Sequence, residues 1–410
     1  MAQADKSDIP LNPLPTLSIQ EFGPGLSLIP PLSRRGHGPG MILLVPDSTP
    51  SPYNIDNGIP TPSLKWAEEG YAVFEIRHEA LHREDLLEQA LEALREHEKC
   101  TFEDGVGLVA YGPLLWQQVQ SSPALSQFKV VAIYADASNP PDATPIGLPT
   151  IQHLTGSATE KLQKSPKLTQ YDYRKVTSCH FAIPGLGTFD YAMEAITHSR
   201  NLTFFKKHMN GPYFDLEAIW DEHQYFEFFV RSVEHTMSTM VQEPYVNHIP
   251  TMTGGIGREN LTNFYRDHFI FCNPPDIESQ LISRTVGIDR VVDECIMTLT
   301  HDCEIDYLLP GIPPTGRKLE IPYTAIVNIR GDRLYNEHIH WDQATVLRQL
   351  GFLPEYIQIT EPLPGGKEPS PGKSFQIRTP VLAAEMAAKV RDKNAVPSNE
   401  LLDGPGVREV

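Results

Sequence analysis

The chain has 410 residues, with 34 Lys and Arg against 52 Asp and Glu and a net charge of −18 when histidine is neutral. Such acidity argues against nucleic acid or an anionic membrane surface as the main partner. No apolar run approaches the roughly 20 residues that a membrane helix needs. The N-terminus resembles no secretory signal, and five cysteines without metal-finger spacing predict reduced thiols in a cytoplasmic protein.

The first half alternates strands and helices. Residues 1–39 are rich in proline and glycine and predict an extended arm. Short apolar runs predict buried strands, and an amphipathic pattern over 79–98 predicts a helix. Strands that alternate with helices are typical of a parallel α/β sheet. The predicted strands are 41–45, 71–76, 106–112, 130–135 and 149–156.

The pattern changes after about residue 190. Residues 189–240 are strongly helical, whereas 285–343 predict long strands. Residues 329–332 (IRGD) supply a turn, so the last two strands should form an antiparallel hairpin. Helices followed by antiparallel strands indicate an α+β unit. Residues 356–378 predict a Pro/Gly linker, and a helix over 380–392 should dock on its own chain or on a second subunit.

The third strand leads into VGLVAYGPLL, which resembles the nucleophile elbow of the dienelactone hydrolase family, V-G-L-x-G-Y-C-x-G-G. The nucleophile position holds Gly112, and Pro113 has no N–H for an oxyanion hole. Thr159 stands at the family's acid position. Cys179 stands at its histidine position, with His180 one residue out of register. The resemblance implies an α/β hydrolase-like domain at 40–190 that has lost its triad.

Residues 217–355 resemble the SnoaL-like polyketide cyclase family of cone-shaped α+β folds. The matching text is EPYVNHIPTMTGGIGRENLTNFYRDHF, then PGIPPTGRKLEIP, then GDRLYNEHIHWDQATVLRQLG. Residues 191–216 would be a helical connector and 356–410 a linker with a C-terminal helix. The fusion of the two domain types resembles an arrangement of fungal proteins often labelled carboxymethylenebutenolidase.

The SnoaL-like resemblance implies acid–base chemistry on a carbon acid in an apolar pocket, without a cofactor or a metal. It places the acid/base residue at Asp342. Strand alternation puts His338 and His340 on the same face as Asp342. Two imidazoles and a carboxylate suit proton transfer near neutral pH. The predicted substrate-binding residues are His248, Glu294, Tyr323 and Trp341.

Simpler interpretations stay open for each of these residues. His338, His340 and Asp342 could be rim or interface groups, or could imitate a metal-binding facial triad if other elements added ligands. Glu294 could form a salt bridge, and Tyr323 could be aromatic core.

The predicted function is cyclisation, isomerisation or dehydration of a polyketide- or terpenoid-derived intermediate, by a homodimer that binds a small hydrophobic substrate. One alternative is a lactone or ester hydrolase that uses water activated by the His/Asp group. Another is a ligand-binding scaffold without catalysis.

Overall fold

The computed structural model describes residues 9–83, 85–142, 147–404 and 406–410. Its N-terminal half is built on one eight-stranded sheet and a two-stranded ribbon. The strands are β1 Gln20–Gly23, β2 Leu26–Ile29, β3 Gly40–Val45, β4 Ile55–Asp56, β5 Ile59–Pro60, β6 Ala72–Arg77, β7 Val106–Ala110, β8 Val130–Asp136, β9 Thr150–Thr155 and β10 Leu168–Tyr173. The helices are α1 Pro62–Glu68, α2 Leu86–Glu96, α3 Pro113–Val119 and α4 Tyr191–Met209.

The large sheet has the order β1-β2-β6-β3-β7-β8-β9-β10, and β4 pairs with β5 apart from it. All pairings from β6 to β10 are parallel, whereas β1 and β2 are antiparallel additions at one edge. Helices α2 and α3 pack on one face, and α1 and α4 on the other. Every residue of β3 is buried, as expected for a strand covered on both faces. The prediction of a large parallel sheet is therefore confirmed.

One predicted helix of this half differs from the structure. The amphipathic helix expected over 79–98 begins only at Leu86, because a 3₁₀ turn occupies His78–Ala80. Residues 191–216 were expected to be a helical connector, and α4 fills most of that segment. It also contributes Leu202 and Phe205 to the core beneath the sheet.

The C-terminal half wraps a curved sheet around helices. Its elements are α5 Leu216–Gln224, α6 Val233–Ser238, β11 Met240–His248, β12 Thr253–Ile256, α7 Arg258–Phe264, β13 Glu278–Val286, β14 Arg290–Thr300, β15 Lys318–Arg330, β16 Arg333–Trp341 and α8 Gln343–Gln349. The sheet order is β12-β11-β16-β15-β14-β13, and β15 and β16 form the predicted hairpin. Helices α5 and α7 continue as π-helical segments, Tyr225–Val230 and Tyr265–Phe269.

The C-terminal segment is more ordered than the predicted linker. It forms a three-stranded sheet of β17 Tyr356–Ile359, β18 Phe375–Arg378 and β19 Val407–Glu409, and the helix α9 Glu385–Arg391. Helix α9 docks on its own chain. Arg391 pairs with Glu320 on β15, and the Thr345 hydroxyl lies 2.9 Å from the sulfur of Met386.

The tip of the β15–β16 hairpin joins the two halves. Arg330 Nη1 lies 2.9 Å from Glu68 Oε2 in a buried ion pair, and the Gly331 amide donates to Glu69 Oε2 at 3.2 Å. Gly331 has a φ of +57°, and a β-carbon there would lie 2.3 Å from the Glu68 carbonyl oxygen. Only glycine permits this close approach. Asp332 accepts hydrogen bonds from the Arg34 amide on the other side of the tip.

Within the described ranges, no helix combines the length and the apolar character needed to cross a membrane.

Candidate active site

A pocket opens between the curved sheet and the helices of the C-terminal half. It holds about 600 Å³ of empty space, counting its open mouth. Helix α5 and its π-helical extension form one wall, and β11, β15 and β16 form the opposite wall. The lining is mostly aromatic and aliphatic. The aromatic members are Trp220, Phe228, Tyr265, Phe269, Tyr307, Tyr323 and Trp341.

Three buried ionisable side chains meet in the wall of this pocket. His223 Nε2 lies 3.0 Å from Glu337 Oε1 and 3.2 Å from Glu227 Oε1. The same nitrogen lies 3.2 Å from the hydroxyl of Tyr265, which donates to Glu337 Oε1 at 3.3 Å. We call His223, Glu227 and Glu337 the ionic cluster. Glu227 and Tyr265 both lie on the π-helical segments, an irregularity that often occurs at functional sites.

The backbone fixes which nitrogen of His223 faces the two carboxylates. The Thr239 hydroxyl donates to the Thr236 carbonyl at 2.7 Å, and its oxygen lies 2.5 Å from His223 Nδ1. Since that hydroxyl proton is already used, Nδ1 must carry a proton and donate to Thr239. A bare lone pair on Nε2 would then face two carboxylates, so Nε2 needs a proton or another cation.

The pKa values follow from this arrangement. Burial alone would lower the pKa of His223, but Glu227 and Glu337 reverse that effect and raise it to about 10. Burial and the charge of Glu227 raise the pKa of Glu337, against hydrogen bonds from His223 and Tyr265 that lower it. A positively charged histidine therefore lies beside a carboxyl group whose pKa is moved toward neutrality. Such a pair is suited to proton transfer.

A metal ion could replace the proton on Nε2. One ligand atom from each member of the ionic cluster lies within 4.8 Å of the others. Imidazole nitrogen and carboxylate oxygen are ligands that zinc and other divalent transition metals accept. His338, His340 and Asp342 form no such group, and among the described residues the ionic cluster is the arrangement of this kind that could hold a metal.

His248, predicted to bind substrate, lies in the pocket wall and is buried. Its ring packs within 6 Å of the rings of Phe264, Phe269, Tyr307 and Trp341. Burial lowers its pKa to about 3, so the ring is neutral. Its Nδ1 is buried without a hydrogen-bond partner, which is costly unless a ligand supplies one.

Tyr323 and Trp341, also predicted to bind substrate, line the pocket as well. Their polar atoms already have partners. The Tyr323 hydroxyl lies 2.6 Å from Ser279 Oγ, and Trp341 Nε1 donates to Gln343 Oε1 at 2.6 Å. They therefore offer ring surface to a ligand more readily than new hydrogen bonds.

The predicted placement of His338, His340 and Asp342 in the pocket is wrong. Alternation along β16 puts Glu337, Ile339 and Trp341 on the pocket side and the two histidines on the other face. His338 Nε2 bonds the hydroxyl of Tyr245 at 3.1 Å, and His340 is exposed. Asp342 follows the strand and caps α8, accepting from the amide of Ala344. The helices pack against the face with more apolar side chains, which selects Glu337.

Glu294 is also outside the pocket, contrary to the prediction. It is exposed and accepts a hydrogen bond from Ser283 on the outer face of the sheet. The inward residue is its neighbour Asp293, which is buried and accepts from Trp220 Nε1 at 2.8 Å and from Arg284. A one-residue change of assignment moves every side chain of a strand to the other face.

Sequence reasoning missed His223 and Glu227. A usable signal was present, because a spacing of four residues in a predicted helix puts two side chains on one face. Their partner Glu337 is more than 100 residues away on a strand, so no local pattern could join the three.

In the N-terminal half, the structure brings His180 to the predicted elbow. Gly112 lies between β7 and α3, and a β-carbon on it would lie 3.2 Å from His180 Nε2. His180 therefore lies beside the elbow although it stands one residue out of register in the sequence pattern. Burial lowers the pKa of His180, against the charge of Asp136, which raises it. A base is in place, but Gly112 supplies no nucleophile for it and Pro113 no amide.

The fold and the pocket identify the class of domain. Residues 222–350 match the family model described as SnoaL-like polyketide cyclase. The C-terminal half thus carries a SnoaL-like domain, as the sequence predicted. No curated protein matches the chain.

Solved structures with similarity to this chain each cover about a third of it. A candidate SnoaL-like polyketide cyclase from Jannaschia sp. CCS1 is 18% identical, covers 35% of this chain and 99% of its own, and has a TM-score of 0.28. IdmH, a candidate polyketide cyclase from Streptomyces antibioticus, is 20% identical, covers 34% of this chain and 99% of its own, and has a TM-score of 0.28. A protein with a ketosteroid isomerase-like fold from Catenulispora acidiphila is 15% identical, covers 33% of this chain and 93% of its own, and has a TM-score of 0.26.

Proposed function

We propose that the SnoaL-like pocket catalyses proton transfer on a carbon acid, in a cyclisation, isomerisation or dehydration of a polyketide- or terpenoid-derived intermediate. The observation that carries this proposal is the ionic cluster in the wall of an aromatic pocket. The family match supports a cyclase- or isomerase-type role in general. The geometry of the cluster supports the assignment of the residues.

Glu337 is the proposed general acid/base. It lies in the pocket wall, and burial and the charge of Glu227 raise its pKa, which makes it a better proton acceptor than an exposed carboxylate. The carboxylates of Glu227 and Glu337 stabilise the protonated form of His223, and His223 contacts Glu337 directly. Its positive charge favours the ionised form of Glu337, against the effect of burial. When Glu337 takes a substrate proton, His223 remains balanced by Glu227.

His248 is the proposed orienting residue. Its neutral ring and its unpartnered Nδ1 can form a hydrogen bond with a polar group of the substrate, while the aromatic walls hold the apolar part. Water exclusion by those walls strengthens each polar contact inside the pocket. Enolate formation then needs only positioned hydrogen bonds and a base.

A model carbon acid tests the proposal without knowledge of the natural substrate. We would measure deuterium exchange at the α-carbon of 2-tetralone in D₂O by NMR, with the full chain as catalyst. Glu337→Gln keeps the size of the side chain and removes the base, so exchange should fall about 10²-fold or more. His340→Gln is the matched control, because His340 is exposed on the other face of β16, and it should exchange at the wild-type rate.

The other possible results are decisive. Equal exchange by wild type, Glu337→Gln and a protein-free buffer would contradict catalysis by this pocket. Binding of 2-tetralone without faster exchange would favour a ligand-binding scaffold. Loss of exchange on treatment with a chelator, restored by zinc, would show that a metal occupies the place of the His223 proton.

A further inference from the structure

The N-terminal half contains an open groove, and its lining residues precede those of the SnoaL-like pocket in the sequence. It has about 1050 Å³ of space between α4, the edge strand β10 and the loop before β10. Four basic side chains line it, and no Asp or Glu does. These four, Lys164, Arg200, Lys207 and His208, are here called the basic groove.

Two of these side chains contact one aromatic ring, whereas burial and the charge of Lys207 lower the pKa of His208 and favour its neutral form. The Lys164 Nζ lies 3.0 Å from the ring centre of Tyr171, and the guanidinium carbon of Arg200 lies 3.9 Å from it. Arg200 is held further by Tyr173, whose hydroxyl accepts from Nη1 at 2.9 Å. The guanidinium is therefore fixed in place before any ligand binds, which reduces the entropy cost of binding.

Distances this short to one ring centre place Lys164 and Arg200 on opposite faces of Tyr171. Partial burial lowers the pKa of Lys164, and the charge of Arg200 lowers it further, with partial relief from Asp172. Asp172 lies on the opposite side of β10 and pairs with Arg174. In the described part of the chain, none of the four basic groups has a carboxylate within 4 Å, although carboxylates outnumber basic residues by 52 to 34.

Part of this pattern has an ordinary explanation. Lys207 and His208 lie in the last turn of α4, where cations are favoured by the helix dipole. That argument does not reach Arg200, which lies in the middle of α4, or Lys164, which lies on a loop. Contact with the Tyr171 ring accounts for the positions of these two side chains, but it leaves their charges without a carboxylate partner in the described residues.

We propose that the basic groove binds the phosphate group of a small molecule. A phosphate carries enough negative charge to neutralise more than one cation of the groove, and a fixed guanidinium such as that of Arg200 binds two of its oxygens well. This assigns a binding role to a half of the chain whose elbow has no nucleophile at Gly112. The proposal is independent of the chemistry in the SnoaL-like pocket.

Calorimetric titration of the full chain tests this with inorganic pyrophosphate and inorganic phosphate as probes, in chloride buffer at constant ionic strength. We expect saturable 1:1 binding of pyrophosphate, and at least tenfold weaker binding by Arg200→Gln and by Lys164→Gln. Lys164 is exposed and contacts only a ring face, so its variant should fold normally even if Arg200→Gln disturbs Tyr173. Lys318→Gln removes the same charge from the SnoaL-like half and is the matched control, expected within twofold of wild type.

Either of two results would overturn the proposal. One is the absence of saturation by both probes up to about 10 mM, a range that covers weak sites. The other is an equal loss of affinity in Lys164→Gln and Lys318→Gln, since it would show attraction to overall charge and no defined site. Binding of phosphate as tight as that of pyrophosphate would support the site and identify a single phosphate as sufficient.

Discussion

Raising the pH from about 6 to 10 is expected to destabilise the SnoaL-like domain through His223. The folded state holds a proton on this residue up to a pKa of about 10, whereas an unfolded histidine releases it near 6.5. Because the folded pKa is the higher one, the stabilisation is fully present below 6.5 and is lost as the pH rises through 10. The pKa of Glu337 is also raised, so this residue too contributes stability that is lost as the pH rises through its own folded pKa.

The size of the effect follows from the same interval. About 3.5 pH units at roughly 1.4 kcal/mol each correspond to about 5 kcal/mol of unfolding free energy. The two carboxylates lie at nearly equal distances from His223 Nε2, 3.0 and 3.2 Å. We therefore expect Glu337→Gln to remove about half of the pH dependence, or roughly 2–3 kcal/mol. The pKa of His223 should fall correspondingly.

The assay is an NMR titration of ¹³C-labelled histidine between pH 5 and 11, with the His223 signal assigned from its absence in His223→Gln. Urea unfolding at both ends of this range gives the matching free energies. Titration of His223 below pH 7 in the folded wild type would refute the reasoning. An identical pH slope in wild type and Glu337→Gln would also refute it. His340→Gln, on the exposed face of β16, should leave the His223 titration unchanged.

Three further predictions concern other parts of the structure. Asp342→Ala should lower the stability by about 1 kcal/mol through loss of the α8 cap, and leave tetralone exchange unchanged, as thermal melts and NMR would show. Arg330→Met leaves Glu68 buried without its partner and should cost about 3–5 kcal/mol; Arg391→Met, at an exposed pair, should cost under about 1 kcal/mol in the same urea titration. His248→Phe should keep or raise the melting temperature, because it removes an unpartnered buried nitrogen, yet slow the exchange of 2-tetralone; a lower melting temperature would contradict this.

The strand 337–341 shows how far sequence reasoning could go. Alternation correctly separated two sets of residues, one with Glu337, Ile339 and Trp341 and one with the two histidines. It could not say which set faces the helices. The family resemblance, which puts the acid/base residue at Asp342, favours the set with the histidines, whereas packing of α5 and α7 buries the set with more apolar area.

The fold was more predictable than the site for a physical reason. A short, fully apolar run such as β3 predicts a strand that is buried on both faces, and such strands are typical of parallel sheets. This prediction needs only the residues of the run itself. The ionic cluster depends on a contact between helix α5 and strand β16, which are distant in sequence. Thr239 and two carboxylates orient the ring of His223 and hold its proton, and none of these residues is adjacent to His223 in the chain.

The docked hairpin tip has a consequence for synthesis on the ribosome. The helices and strands of the N-terminal half are complete at Met209, but Arg330, the partner of Glu68, emerges about 120 residues later. At roughly 5–20 residues per second, the interval is about 6–24 s. During that time Glu68 of the nascent first half must stay hydrated or neutral. The last turn of α1 should therefore be the last part of the sheet domain to reach its folded conformation. Docking of Gly331 against this turn should complete the association of the two halves.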